Sequence, residues 1–215
     1  FINFSKLNQS GQLFGGLVFI ILTGFHPMLF SLSGILIGTL FFILAISSII
    51  RIYLQKSASI QIFNYGFFIG LATMFYSPYV WMLILGLLGL TVFRGLTFRD
   101  LLQMLVGFLC VFFFLSLYLY YTNQGTEYIN SQWKELFSPY VFSMKYSGKG
   151  LVAFAIIITL LLLSLIRFNL FQSKLQISVK KVLDLLFWAC LVSFLSILFA
   201  TISHINHLII LLVPL

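Results

Sequence analysis

Few side chains in this sequence can do acid–base chemistry or hold a metal: four carboxylates, three histidines and two cysteines among 215 residues. His204 and His207 stand three apart and would share one side of a helix; with His26 nearby, they could ligate a metal or a haem, or contact a lipid phosphate. Histidine also favours interfaces and caps short hairpins, and no cysteine or carboxylate supports the three, so no metal and no cofactor are expected. Glu127 and Glu135 fall on similar sides of any helix that contains both, the placement from which an acid and a base could be paired. Together His26, His204, His207, Glu127 and Glu135 form a candidate polar cluster, and no catalytic residue is assigned. Asp100 adjoins Arg99 at a helix start, where a carboxylate suits the helix dipole, and Asp184 lies four residues after Lys180; both read as structural. Cys110 and Cys190 sit among Phe, Leu and Val, where a thiol behaves as a small hydrophobe. No P-loop, G-x-S-x-G, H-E-x-x-H or paired C-x-x-C occurs.

The elements that must position these residues are set by composition. Apolar residues make up 61% of the chain, aromatic residues 18% and charged residues only 7%. A soluble domain carries about 25% charged residues, so a water-soluble globule is excluded, as are a disordered tail and a disulfide-stapled module. Twelve Lys and Arg against four Asp and Glu leave a net charge of +8. In so apolar a chain that surplus belongs to loops flanking a membrane, and not to a nucleic-acid face. The expected partners are membrane lipids and other membrane-protein subunits, with no nucleic acid.

The expected fold is all-α, a polytopic transmembrane helix bundle. A crossing needs roughly 17–25 apolar residues. The stretch from Gln12 to Ile50 divides at His26-Pro27, and that from Ile60 to Phe93 divides at Ser77-Pro78, giving short helices on either side of each proline. Leu101–Tyr121, Leu151–Ile166 and Leu183–Ala200 follow, and Leu208–Leu215 reads as the start of another. That makes seven complete spans and a truncated eighth. With Phe1 cytoplasmic, alternating loops place Lys6, Arg51, Lys56, Arg94, Arg99, Arg167, Lys174, Lys180 and Lys181 inside, and Lys134, Lys145 and Lys149 outside. Residues 1–215 are expected to form one integral membrane domain, in the bacterial inner membrane, lacking N-terminal helices and the end of its last helix.

The loop 122–150 is then external, or periplasmic. Ile129, Trp133, Leu136, Phe137 and Tyr140 line one face of a helix within it, which predicts an amphipathic segment at the membrane boundary. Tyr118, Tyr120 and Tyr121 form an interfacial belt just before it. Phe25-His26-Pro27, Tyr76-Ser77-Pro78 and Phe137-Ser138-Pro139 are aromatic-x-Pro turns on that same side. Gly34 with Gly38, and Gly66 with Gly70, are small-xxx-small pairs on neighbouring spans, the spacing that permits close helix packing.

The run from Ile62 to Pro78, with Arg94, Phe98-Arg99-Asp100 and Gly107, resembles an uncharacterised family of multi-span inner-membrane proteins from Bacteroidota. The closing run His207–Leu215 resembles that family's last span. The resemblance implies missing N-terminal helices and carries no activity. The pattern from Phe63 through Gly66 and Gly70 to Ala72 is also similar to membrane glycosyltransferases that use polyprenyl-phosphate sugars; that likeness implies an external acidic residue ahead of Phe1. The leading expectation is a non-catalytic subunit or scaffold of a larger envelope-biogenesis or secretion complex. The alternatives are a lipid-linked sugar transferase or polymerase, and a lipid or solute transporter.

Overall fold

The computed structural model describes residues 33–53, 58–130, 177–199 and 210. Every regular element among the described residues is helical. In chain order they are α1 (Gly34–Ile52), α2 (Ser59–Phe75), a 3-10 turn (Ser77–Trp81), α3 (Met82–Phe93), α4 (Phe98–Thr122) and α5 (Ile177–Phe199). A further helical stretch occupies 125–130.

Local chemistry explains the breaks. Tyr76 is extended (φ −154°, ψ 110°) and breaks the helical run, and Pro78 enters the first turn of the 3-10 segment, where its missing N–H is no loss. Gly95 takes φ +90°, and its N–H meets the Leu90 carbonyl at 2.9 Å, closing the end of α3. Two residues on, the Thr97 hydroxyl accepts the Asp100 N–H at 3.2 Å and starts α4. Asn123, left-handed at φ 56°, ends it.

Side-chain contacts fix the directions of the helices. Gly34 abuts Phe75, so α1 and α2 are antiparallel. Phe42 meets Tyr79, Ile49 meets Gly89 and Tyr53 meets Phe93, so α1 and α3 run parallel. Gly66 faces Met104 and Gly70 faces Phe108, which makes α2 and α4 parallel as well. Lys181 lies over Tyr53, and Leu185 lies against Gly89, so α5 descends along α3. The core of Phe42, Ile49, Ile62, Ile69, Met82, Leu85 and Leu185 fills the space between these helices.

The all-α class holds, but the count of seven complete spans with a truncated eighth does not. Among the described residues, two helices, α1 and α4, are long and apolar enough to cross a membrane. Their 19 and 25 residues rise about 28 and 37 Å against a hydrocarbon core about 30 Å thick. With 17 and 12 residues, α2 and α3 rise only about 25 and 18 Å. Their apolarity has another cause: Ile62, Tyr65, Ile69, Met82, Leu85 and Leu90 are buried within the protein itself. A helix that is hydrophobic all round is either a span or a core element, and hydropathy reads both alike. The runs expected to cross at 12–26 and 151–166 lie outside the described residues, as does the start of the expected eighth span apart from Ile210.

Candidate functional site: one basic end, one tyrosine end and an apolar stripe

The helix directions bring all described Lys and Arg residues to one end of the bundle. Arg51 is in the last turn of α1, Arg94 caps α3, Arg99 opens α4, and Lys180 and Lys181 lie in the first turn and a half of α5. The Lys181 ammonium stands 5.3 Å from the centre of the Tyr53 ring, a cation–π contact that ties α5 to the end of α1. Arg94, Arg99 and Lys180 are exposed. So are the two apolar residues between the arginines, Leu96 and Phe98, the latter 76% exposed.

Asp100 lies one residue beyond Arg99 yet is buried, only 4% exposed. Among the described residues, one carboxylate oxygen, Oδ2, meets no hydrogen-bond partner, nor does Oε1 of Gln103 one turn on. The position of Asp100 explains part of this arrangement, since a carboxylate in the first turn of a helix faces the positive end of its dipole.

The opposite end carries tyrosines. Tyr118, Tyr120 and Tyr121 occupy the last turn and a half of α4 and point outward, with Tyr121 87% exposed. Tyr128 donates from its hydroxyl to the Met74 carbonyl at 3.4 Å, bringing the stretch 125–130 back against the end of α2.

Between the two ends, α4 shows a continuous apolar stripe to the outside: Phe98, Leu102, Val106, Leu109, Phe113 and Leu117 are all exposed. Their spacing of three and four residues keeps them on one face. The opposite face holds Asp100, Met104, Gly107 and Val111, and it packs on α2. Gly107 therefore lies on the packed face, and Phe98 and Phe113 lie on the outward one.

The interior is held by close approaches and by tyrosines. A methyl at Gly34 would stand 2.6 Å from the Phe75 carbonyl oxygen, one at Gly38 would stand 2.5 Å from the Tyr79 ring, and one at Gly70 would stand 3.0 Å from the Phe108 carbonyl oxygen. At Gly66 it would run into the main chain of Met104, and at Gly107 into that of Phe63. Tyr65 and Tyr79 are almost fully buried, and their hydroxyls donate to the carbonyls of Met82 (2.6 Å) and Ile35 (3.3 Å). Such bonds satisfy the phenol where water is excluded.

Of the candidate polar cluster only Glu127 is described; it is exposed, in the stretch 125–130. His26, Glu135, His204 and His207 lie outside the described residues, as do Trp133, Leu136, Phe137 and Tyr140 of the expected amphipathic segment. The small-xxx-small pattern does not include Gly86, Gly89 and Gly107, whose added methyls would meet Tyr65, Ile49 and Phe63. A small-x-x-small spacing at Gly86 and Gly89 is the one signal present in the sequence. Among the described residues no three His, Cys, Asp or Glu side chains gather as a metal site would require. Comparison with known protein families, curated proteins and solved structures finds no match to this chain.

Proposed function

We propose that the protein is an integral subunit of the bacterial cytoplasmic membrane, a non-catalytic scaffold within a larger cell-envelope complex. In this reading α1 and α4 cross the bilayer, the basic end faces the cytoplasm, and the tyrosine end with the segment 122–150 faces the periplasm. The observation that carries it is the apolar stripe of α4. About five and a half turns of exposed Phe, Leu and Val, from Phe98 to Leu117 and leading into the tyrosines, suit acyl chains and would drive aggregation in water. Small residues mark helix–helix contacts in membranes, and on α4 the glycine is on the buried face and not on the stripe. Arginines at one end and tyrosines at the other match the two anchoring chemistries of a membrane boundary.

The scaffold role is supported by the interior, where glycine contacts and tyrosine-to-carbonyl bonds hold the helices in place. The resemblance to the uncharacterised inner-membrane proteins of Bacteroidota belongs to the same reading. The test is native purification of the full-length protein, tagged at its chromosomal locus, after alkaline carbonate extraction of membranes. Retention in the membrane pellet and stoichiometric co-purifying membrane proteins are expected. Release by carbonate would refute the membrane reading, and a clean monomer with its own turnover would refute the scaffold.

A further inference from the structure

We propose that the turn between α3 and α4 is a binding site for the head group of an anionic phospholipid. The inference rests on the membrane reading above and adds a ligand to it. The segment Arg94-Gly95-Leu96-Thr97-Phe98-Arg99 places two exposed guanidinium groups on either side of two exposed apolar side chains. Its shape is fixed at both ends: Gly95 closes α3 through the Leu90 carbonyl, and Thr97 caps α4 through the Asp100 N–H. The arginines are therefore carried on a rigid turn. Guanidinium is the side chain that grips a phosphate through two parallel N–H bonds.

Charge complementarity favours an anion at Arg94 and Arg99. The nearest carboxylate, Asp100, is turned into the protein. Lys180 on α5 adds an exposed positive charge at this end, where Lys181 is held over Tyr53. The apolar pair selects the source of the phosphate. Phe98 is also the first residue of the α4 stripe, so a ligand whose phosphate meets Arg94 and Arg99 would lay its acyl chains along Phe98 and Leu102. Free phosphate would leave that surface uncovered; a phospholipid covers both parts.

The test uses the full-length protein in mild detergent, titrated with phosphatidylglycerol, phosphatidylcholine or inorganic phosphate. Lipid retention is read by native mass spectrometry and stabilisation by heating. Phosphatidylglycerol is expected to bind and stabilise, with weaker binding at high salt, and the other two are expected to do neither. Each arginine near an anionic surface contributes about fivefold, so R94Q/R99Q should weaken phosphatidylglycerol binding about thirtyfold. The single variants should each lose about fivefold, which keeps the test open if the double variant fails to fold. F98A should weaken lipid retention while leaving its salt dependence unchanged. Equal binding by wild type and R94Q/R99Q, equal binding of phosphatidylcholine, or replacement of the lipid by inorganic phosphate would overturn the proposal. A protein that carbonate releases from membranes refutes the membrane reading; an embedded protein indifferent to lipid charge refutes this site alone.

Discussion

Replacing Gly66 by alanine puts a methyl group into the main chain of Met104. Neither partner can rotate away, because one is a Cα on α2 and the other a peptide group on α4. The helices must part by about 1 Å, and a gap of that size forfeits a quarter to a half of each dispersion contact along the seam. The seam comprises Phe63, Phe67, Met104, Phe108 and Val111 around Gly66, Gly70 and Gly107. With on the order of 50 atom pairs at about 0.15 kcal/mol each, the loss is about 2–4 kcal/mol. Alanine is the better helix former by up to about 1 kcal/mol, which offsets part of it and leaves a net loss of about 1–3 kcal/mol. For a chain of this size that lowers the melting midpoint by about 2–12 °C, measured on the full-length protein in mild detergent by size exclusion after stepwise heating. Gly125 supplies the control, since nothing lies within 4 Å of the methyl that G125A would add. Gly66 and Gly107 must also be coupled: once one methyl has separated the helices, the second meets less resistance, and G66A/G107A should lose less than the sum of its singles. A G66A protein as stable as G125A, or strict additivity with G107A, would refute the backbone contact.

Four further outcomes follow from other contacts. Y65F should cost about 1–2 kcal/mol, read as a lowered melting midpoint, because it strips the 2.6 Å bond from the buried Met82 carbonyl; Y79F, with a 3.3 Å bond, should cost less. T97A removes the α4 cap and should cost about 1 kcal/mol in the same assay, whereas T97S should restore it. D100N should raise the midpoint, since it removes the charge from a buried oxygen that meets no donor among the described residues and loses only about 0.3–1 kcal/mol of dipole interaction. V106K, placed in the middle of the outward stripe, should reduce the carbonate-resistant fraction as a change of about 2.5–3.5 kcal/mol in insertion would; on a water-facing helix it would be nearly silent.

Much of the local structure is legible in the sequence, because proline, glycine and aromatic residues act over a few positions. The break at Ser77-Pro78 follows from the proline, and the end of α4 follows closely on the tyrosines that mark it. What the sequence does not separate is an apolar helix facing lipid from one facing protein. Leu85 and Leu109 are the same residue type in equally apolar runs, yet one is buried against the core and the other exposed on the stripe. Counting crossings by hydropathy therefore treats the buried α2 and α3 as spans. Burial of Tyr79 and Asp100 is hidden for a related reason. Each lies beside a turn, where polar groups ordinarily face outward; Tyr79 is carried inward by its bond to the Ile35 carbonyl, and Asp100 lies on the face of α4 that packs on α2, which pattern and spacing do not encode. Of the candidate polar cluster, only exposed Glu127 falls within the described structure.

Where Gly66 meets Met104 and Gly107 meets Phe63, both halves of the contact are main chain. Ordering a long side chain removes up to about 2 kcal/mol of rotamer entropy, whereas a Cα pressed on a peptide group has no rotamers to lose. Inside a bilayer, water no longer drives helices together, because lipid tails solvate leucine as well as another helix does. A contact that gains dispersion without freezing torsions then has an advantage over interdigitated side chains. It also does not read the identity of the residue at position 104, whose carbonyl would be there with any side chain. The α2–α4 seam can thus hold its separation while the rest of both helices drifts in sequence, provided that the glycines stay.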